Sequence, residues 1–226
     1  MRDLASGMIM TLAFSIFCPT AGAHAMATQQ EKPMIVAALG TSLTHRGGWL
    51  KPLEQNLSSC LGVPVRVLDF GRSGETSAWG LTVISEVIEA HPDVVLIEFS
   101  VNDAAWFKGF SLQRSRENTT KIVQAILKAK PETKIFLMTM SPSFGLHGWI
   151  RWNVDAYFDL YEPLARELGV GYIDNRPSWK RLSKDELRSG IPDGAHPSPD
   201  LAARLLVPTI SKAVAGPDCY APPGSP

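Results

Sequence analysis

Residues 34–42 read MIVAALGTS. The apolar run from Met34 to Leu39 predicts a buried β-strand, and the residues after Ser42 have the pattern of a helix. In open α/β sheets, ligands bind at the carboxyl ends of the strands. We therefore expect the hydroxyl of Ser42 at that edge of a sheet, directly after a buried strand.

Further apolar runs alternate with helical periodicity along the rest of the chain. Strands are predicted at residues 34–39, 65–70, 94–99, 134–140 and 170–173. Helices are predicted at residues 49–61, 79–90, 117–130 and 153–168, and a last one from Ser198. Pro208 is expected to end or kink that last helix. This alternation predicts βαβ units and an α/β fold, a flavodoxin-like three-layer α/β/α sandwich with a mainly parallel five-stranded sheet.

Composition limits the classes of partner. The chain has 226 residues, of which 45% are apolar and 19% charged, and this suits one compact domain with a sizeable core. Its 22 Lys and Arg residues balance 22 Asp and Glu residues. Proteins that bind nucleic acid or anionic membranes present a basic face. The balanced charge therefore argues against both partners.

The N-terminal residues have the pattern of a secretory signal peptide. Arg2 precedes an apolar run at residues 8–17 that is too short to span a bilayer, and small residues follow up to Ala25. Cleavage is expected after Ala23 or Ala25, which predicts a secreted or periplasmic protein. Ile16 and Phe17 precede Cys18, and this is not a lipoprotein cleavage sequence. No stable membrane anchor is expected.

The predicted organisation has three parts. These are a signal peptide at residues 1–25, a folded domain at residues 26–215 and a Pro/Gly-rich tail at residues 216–226. Cys60 and Cys219 remain in the mature chain, in a compartment where a single pair often closes as a disulfide. The sequence leaves open whether these two cysteines meet.

A loop near the C-terminus carries the partners that a serine nucleophile needs. Asp193 and His196 lie three residues apart in a Gly/Pro-rich segment. A serine hydroxyl needs a base whose pKa is near neutral, and histidine supplies one. Asp193 can hold one imidazole nitrogen while the other faces Ser42, although Asp193 is also a common turn starter. The spacing predicts a Ser-His-Asp site.

Two other segments supply hydrogen-bond donors. Gly74 lies in the sequence GRSGE at residues 71–75, which by itself indicates a strand-to-helix turn. Asn102 follows the predicted strand at residues 94–99 and has loop capping as an alternative role. An amide donor after an apolar strand is nevertheless what an oxyanion site requires.

Together these segments resemble the SGNH hydrolases, also called GDSL esterases and lipases. Ser42, Gly74, Asn102 and His196 stand in the order of the four residues that give the family its name. The resemblance implies that Ser42 is the nucleophile, with Asp193 and His196 as its partners. It further implies an oxyanion hole formed by the backbone amides of Ser42 and Gly74 and the side chain of Asn102. It implies no metal and no organic cofactor.

Two positions depart from the usual motifs of that family. Thr41 stands where an aspartate is expected, and its hydroxyl can still cap or bridge the turn. Ser100 replaces a glycine, so the backbone there must suit a residue with a Cβ atom. Both changes bear on the subfamily and not on the chemistry.

Six large aromatic residues follow the motif segments or the fourth predicted strand. Most are expected to pack in the core or over it, with one or two lining an acyl pocket or stacking on a sugar. They are Trp49, Trp79, Trp106, Phe107, Trp149 and Trp152.

The predicted function is a secreted or periplasmic serine esterase. It would hydrolyse carboxylic esters with short acyl or O-acetyl groups, on a small-molecule or carbohydrate substrate. The alternatives are an acyltransferase that moves acetyl groups to or from a cell-surface sugar, a lysophospholipase or thioesterase, and a non-catalytic binding protein. No protein partner is inferred.

Overall fold

The computed structural model describes residues 32–219. The predicted signal peptide and most of the predicted tail lie outside this range. A five-stranded parallel sheet with strand order β2-β1-β3-β4-β5 confirms the predicted α/β fold. The strands are β1 (Met34–Gly40), β2 (Val65–Gly71), β3 (Val94–Glu98), β4 (Lys134–Met138) and β5 (Gly171–Ile173).

The sheet is covered by helices on both faces, so β1 and β3 are apolar except for Glu98 at the end of β3. Successive strand residues point to opposite faces. Val36 and Leu96 accordingly belong to the core on one face, whereas Ala37 and Ile97 belong to the core on the other. The continuous apolar runs of β1 and β3 follow from this two-sided burial.

The helices fall into two layers. Residues of α2 and α11 contribute to one core, and residues of α4 and α6 contribute to the other, while α8 contributes Phe158 to the first and Tyr161 and Leu164 to the second. No helix within residues 32–219 combines the length and apolar character that a membrane span requires. The helices are α1 (Ser42–His45), α2 (Leu50–Leu61), α3 (Ser77–Thr82), α4 (Ile84–Glu89), α5 (Ser100–Asp103), α6 (Leu112–Ala129), α7 (Gly145–Trp149), α8 (Val154–Leu168), α9 (Arg176–Lys180), α10 (Lys184–Gly190) and α11 (Pro199–Ala215), with a 3₁₀ helix at Trp106–Lys108.

Two helices differ from their predicted bounds for local reasons. The helix predicted at residues 79–90 is two helices, α3 and α4, which meet at Val83, and the hydroxyl of Thr82 beside this break donates to the carbonyl of Trp79 at 2.7 Å. Such a bond competes with the helical backbone pattern. Helix α6 begins five residues before the predicted start, where the side chain of Ser111 accepts the N–H of Arg114.

Helix α11 continues through Pro208 to Ala215. Of the two outcomes expected for this proline, an end of the helix is therefore not observed. A proline inside a helix removes a backbone hydrogen bond and costs about 3 kcal/mol. Val207, Ile210 and Val214 are buried around it. Because each buried aliphatic side chain contributes roughly 1.5–3 kcal/mol, their packing outweighs the lost bond.

A disulfide joins Cys60, near the end of α2, to Cys219, which follows α11. The Cα atoms of the two cysteines are 5.4 Å apart, and 159 residues separate them in sequence. A cross-link stabilises a protein mainly by removing conformational freedom from the unfolded chain, and a longer loop gives a larger effect. The bond therefore ties the last part of the chain to the first helical layer.

Replacing both cysteines by serine should lower the free energy of unfolding by about 2–5 kcal/mol, because the unfolded chain regains the freedom of a long loop. Urea unfolding followed by tryptophan fluorescence measures this change. A thiol reductant should weaken the wild-type protein equally and leave the double variant unchanged. The same urea midpoint for oxidised and reduced wild type would contradict a stabilising disulfide.

Candidate active site

Ser42 is the first residue of α1, and only Thr41 separates it from the end of β1. Thr41 before it is extended, with φ −99° and ψ −159°, and its hydroxyl accepts the N–H of Leu43 at 3.2 Å. The first N–H groups of a helix have no partner within the helix, and that of Ser42 is one of them. The side-chain oxygen of Ser42 lies 2.8 Å from Nε2 of His196.

His196 lies between α10 and α11, in a loop that Asp193 organises. Oδ2 of Asp193 is 2.6 Å from Nδ1 of His196, and Oδ1 accepts the backbone N–H groups of Ala195 at 2.9 Å and His196 at 2.7 Å. Because a carboxylate only accepts, Nδ1 of the imidazole carries the hydrogen in this bond. In the neutral ring, Nε2 is then free to accept a proton from Ser42.

The carboxyl group of Asp193 is ionised across the working range of a histidine base. Its desolvation alone would raise the pKa of Asp193. The backbone N–H of His196, its ring and the N–H of Ala195 together outweigh burial and hold the pKa of Asp193 well below its usual range.

Asn102 lies in α5, just after β3, and is buried. Its Nδ2 donates to the carbonyl of Glu75 at 2.8 Å. Gly74, the residue before Glu75, has φ 78°, in the left-handed region that favours glycine, and its carbonyl accepts Nζ of Lys108 at 2.9 Å. These contacts join Asn102 to the turn that contains Gly74.

Sheet order places these segments on either side of Ser42. Strand β1 lies between β2 and β3, and Gly40 pairs in register with Gly71 on one side and Glu98 on the other. Parallel strands end at one edge of the sheet. The segments of Gly74 and Asn102 therefore flank the serine, while His196 contacts it directly.

Two other aspartates have different partners. Asp103 accepts the N–H of Ser77 at 2.9 Å and the hydroxyl of Ser115 at 2.7 Å. Asp174 is paired with Arg176. Asp193 is therefore the carboxylate that contacts the histidine. Within residues 32–219, no three His, Cys, Asp or Glu side chains form a group that could hold a metal ion.

Comparison with known proteins assigns the family. The model of the GDSL-like lipase/acylhydrolase family matches residues 35–204. The chain belongs to this family. It is an ester-hydrolysing enzyme, and the matched range contains all four motif segments.

Solved structures share the fold of this GDSL-family chain. The lipase/acylhydrolase from Enterococcus faecalis has a TM-score of 0.65 and 21% identity, over 77% of this chain and 93% of that one. The acetylxylan esterase Axe2 from Geobacillus stearothermophilus has a TM-score of 0.63 and 22% identity, over 78% and 94%. A GDSL-like lipase from Bacteroides thetaiotaomicron has a TM-score of 0.60 and 21% identity, over 79% and 86%. No curated protein sequence matches the chain significantly.

Glu98 supports the turn that carries Ser42 in this GDSL-family enzyme, and sequence reasoning missed it. It is completely buried at the end of β3. Its Oε1 accepts the N–H of Thr41 at 2.6 Å, the hydroxyl of Thr41 at 2.9 Å and the hydroxyl of Thr44 at 2.8 Å. Desolvation raises the pKa of Glu98 to about 7, against the lowering effect of these bonds. An acidic residue closing an otherwise apolar strand was the available signal.

Aromatic side chains near the site are more exposed than expected. Trp106, Phe107, Trp149 and Trp152 are 56%, 54%, 63% and 76% exposed, whereas Trp49 is buried. The ring of Trp106 meets the rings of Trp149 and Phe107 edge to face, with centroids 6.0 Å and 6.2 Å apart. We call these three residues, Trp106, Phe107 and Trp149, the aromatic cluster. It lies on the two segments that follow Asn102 and β4.

Glu98→Gln should change how stability depends on pH. The folded-state pKa of Glu98, about 7, exceeds the ordinary value of 4.5, so the folded protein holds this proton more tightly. The contribution of Glu98 to stability is then full below about pH 4.5 and is lost as the pH rises through about 7. Relative to Glu98→Gln, the wild type should lose about 3 kcal/mol of unfolding free energy between about pH 5 and pH 8.

Urea unfolding of both proteins at each pH measures this difference. Glu89→Gln, which alters an exposed carboxylate, serves as the control and should run parallel to the wild type. A Glu98→Gln curve that is also parallel to the wild type would contradict the buried proton.

Proposed function

We propose that this enzyme is an exported serine esterase with Ser42 as nucleophile, His196 as general base and acid, and Asp193 as the residue that orients the histidine. The observation that carries the proposal is the continuous hydrogen-bonded chain from the Ser42 hydroxyl through both ring nitrogens of His196 to the carboxylate of Asp193. A serine hydroxyl in such a chain is activated without a metal or an organic cofactor.

The reaction runs in two halves. The Ser42 oxygen attacks the ester carbonyl while Nε2 of His196 takes the hydroxyl proton, and the ionised Asp193 stabilises the imidazolium. The tetrahedral intermediate collapses as His196 returns the proton to the leaving alcohol, which leaves an acyl group on Ser42. Water then attacks the acyl carbon with His196 again as base. The bond to the Ser42 oxygen breaks as His196 returns the proton to that oxygen, and the acid is released.

The negative charge on the carbonyl oxygen is held by an oxyanion hole in this proposal. Its donors are the backbone N–H groups of Ser42 and Gly74 and the Nδ2 of Asn102. Support comes from the sheet order, because the segments of Gly74 and Asn102 flank that of Ser42. Donors fixed before the reaction stabilise developing charge strongly, because they need no reorganisation.

The proposed substrate is a short acyl or O-acetyl ester of a carbohydrate. The exposed aromatic cluster supports this choice, since flat aromatic rings can pack against the apolar face of a sugar. The fold is also that of an acetylxylan esterase from Geobacillus stearothermophilus. An acyltransferase would use the same residues, so only the products formed with a sugar acceptor distinguish it from an esterase.

Export is supported by two features of the chain. Residues 1–25 have the pattern of a signal peptide. The bond between Cys60 and Cys219 is of a kind that persists in oxidising compartments. We therefore place the enzyme in the periplasm or outside the cell.

Ser42→Ala should lower turnover by about 10⁴-fold or more with little change in folding, because the variant has no nucleophile. The assay is a panel of acetyl to dodecanoyl esters with acetylated xylan and acetylated peptidoglycan, on which the wild type should favour short acyl groups. A phosphonate probe should label the wild type at Ser42.

Ser73→Ala is the matched control for that variant, since it alters an exposed serine in the Gly74 turn, and it should keep wild-type turnover. Labelling at Ser73 or Ser100 would overturn the assignment. A preference for dodecanoyl esters would instead favour a lysophospholipase or thioesterase.

Asp193→Asn should lower turnover by roughly 10²-fold to 10⁴-fold at neutral pH, because an amide no longer fixes the imidazole tautomer. Turnover of Asp103→Asn and Asp174→Asn provides the comparison, since those carboxylates have other partners. Near-normal turnover in the Asp193 variant, beside a disabled variant at either other position, would reassign the third residue of the site.

A further inference from the structure

Arg151 follows α7 and connects the loop before α8 to the segment that carries Asn102. Its Nε donates to the carbonyl of Val101 at 2.8 Å, and its Nη2 donates to Oδ1 of Asn102 at 3.1 Å. Its Nη1 lies 3.2 Å from Nδ1 of His147 and donates to the carbonyl of the same residue at 3.3 Å. One partly buried side chain thus holds two segments of the site together.

These contacts determine the orientation of the Asn102 amide. A guanidinium only donates hydrogen bonds, so the atom that it contacts must be the carbonyl oxygen of the amide. Nδ2 then faces the carbonyl of Glu75, which accepts one of its two hydrogens at 2.8 Å. The second hydrogen is left for an oxyanion. A flipped amide would set donor against donor at Arg151 and acceptor against acceptor at Glu75.

The guanidinium also brings a positive charge that no carboxylate neutralises. Within residues 32–219, none of the ion pairs closer than 4.0 Å includes Arg151. Desolvation lowers the pKa of Arg151, but arginine remains protonated at every working pH. A charged donor on Oδ1 polarises the amide and makes its N–H groups stronger donors. This effect grows as negative charge develops on the substrate.

We infer that Arg151 is a positioning residue for the oxyanion hole, which holds and polarises the Asn102 amide so that Nδ2 faces the developing negative charge. The inference rests on the proposed function, since Arg151 acts through the proposed donor Asn102. This positioning role differs from that of a residue that only connects two segments of the structure. Loss of a residue that only connects segments would affect folding or substrate binding. Loss of a residue that acts through Asn102 lowers kcat, and it does so only while Asn102 is present.

A double-mutant cycle tests this inference, with kcat and KM measured for each variant on a short acyl ester. Asn102→Ala should lower kcat by about 100-fold or more. Arg151→Met should lower kcat by about 10-fold to 100-fold, with KM within about 2-fold of the wild type. The double variant should be no more than about 3-fold slower than Asn102→Ala, because both changes remove one interaction.

Two further variants complete the experiment. Arg151→Lys keeps a charge but loses the planar fork, so its kcat should lie between those of the wild type and Arg151→Met. Arg166→Met removes an exposed arginine and should leave kcat and KM unchanged. If Arg151→Met fails to fold, as judged by thermal unfolding, the cycle with Arg151→Lys replaces it and should show the same non-additivity.

The outcomes separate this inference from the proposed function. Multiplicative losses in the double variant, or an effect of Arg151→Met confined to KM, would overturn the inference while leaving the oxyanion role of Asn102 in place. A wild-type kcat in Asn102→Ala would instead refute the oxyanion role itself, and with it the role of Arg151.

Discussion

The parallel pairing of β1 between β2 and β3 is the constraint on which the site depends. It brings the ends of three strands to one edge, so that segments distant in sequence flank Ser42. Gly40 allows Glu98 and Thr44 to approach the end of β1 closely. A Cβ atom at position 40 would lie 2.3 Å from Oε1 of Glu98 and 2.6 Å from the hydroxyl of Thr44. The carboxyl group beneath the turn that carries Ser42 therefore requires glycine at the end of β1.

Thr41 and Glu98 are best understood as a pair. The hydroxyl of Thr41 donates to Glu98 at 2.9 Å in a completely buried site. An aspartate at position 41, as in the usual family motif, would set two carboxyl groups at hydrogen-bond distance, and they could not both ionise. A neutral hydroxyl fits beside the carboxyl group in either protonation state. The departure in the first motif is thus compatible with the turn that holds Ser42.

Features governed by local sequence could be predicted, and features created by tertiary contact could not. The strands were predicted to within two residues because their apolar runs are continuous, and the pairing of Asp193 with His196 follows from a three-residue spacing. Glu98 and Arg151 escaped prediction because burial and partners far away in sequence give them their roles. The break between α3 and α4 lies at Val83, inside a stretch whose apolar periodicity predicts one continuous helix.

The disulfide closes a covalent ring that contains some residues of the active site but not Ser42. The closed ring from Cys60 to Cys219 carries Asn102 and His196, whereas Ser42 lies in α1, before the ring begins. A protease that cuts any peptide bond inside the ring leaves two pieces joined by the sulfur bridge, with Asn102 and His196 still in one molecule. A single cut between Ser42 and Cys60 leaves the peptide that carries Ser42 held only by the sheet and the packing of β1. His45 and Arg46 are exposed ahead of α2, so a cut at this turn would separate the peptide that carries Ser42 from the rest of the chain.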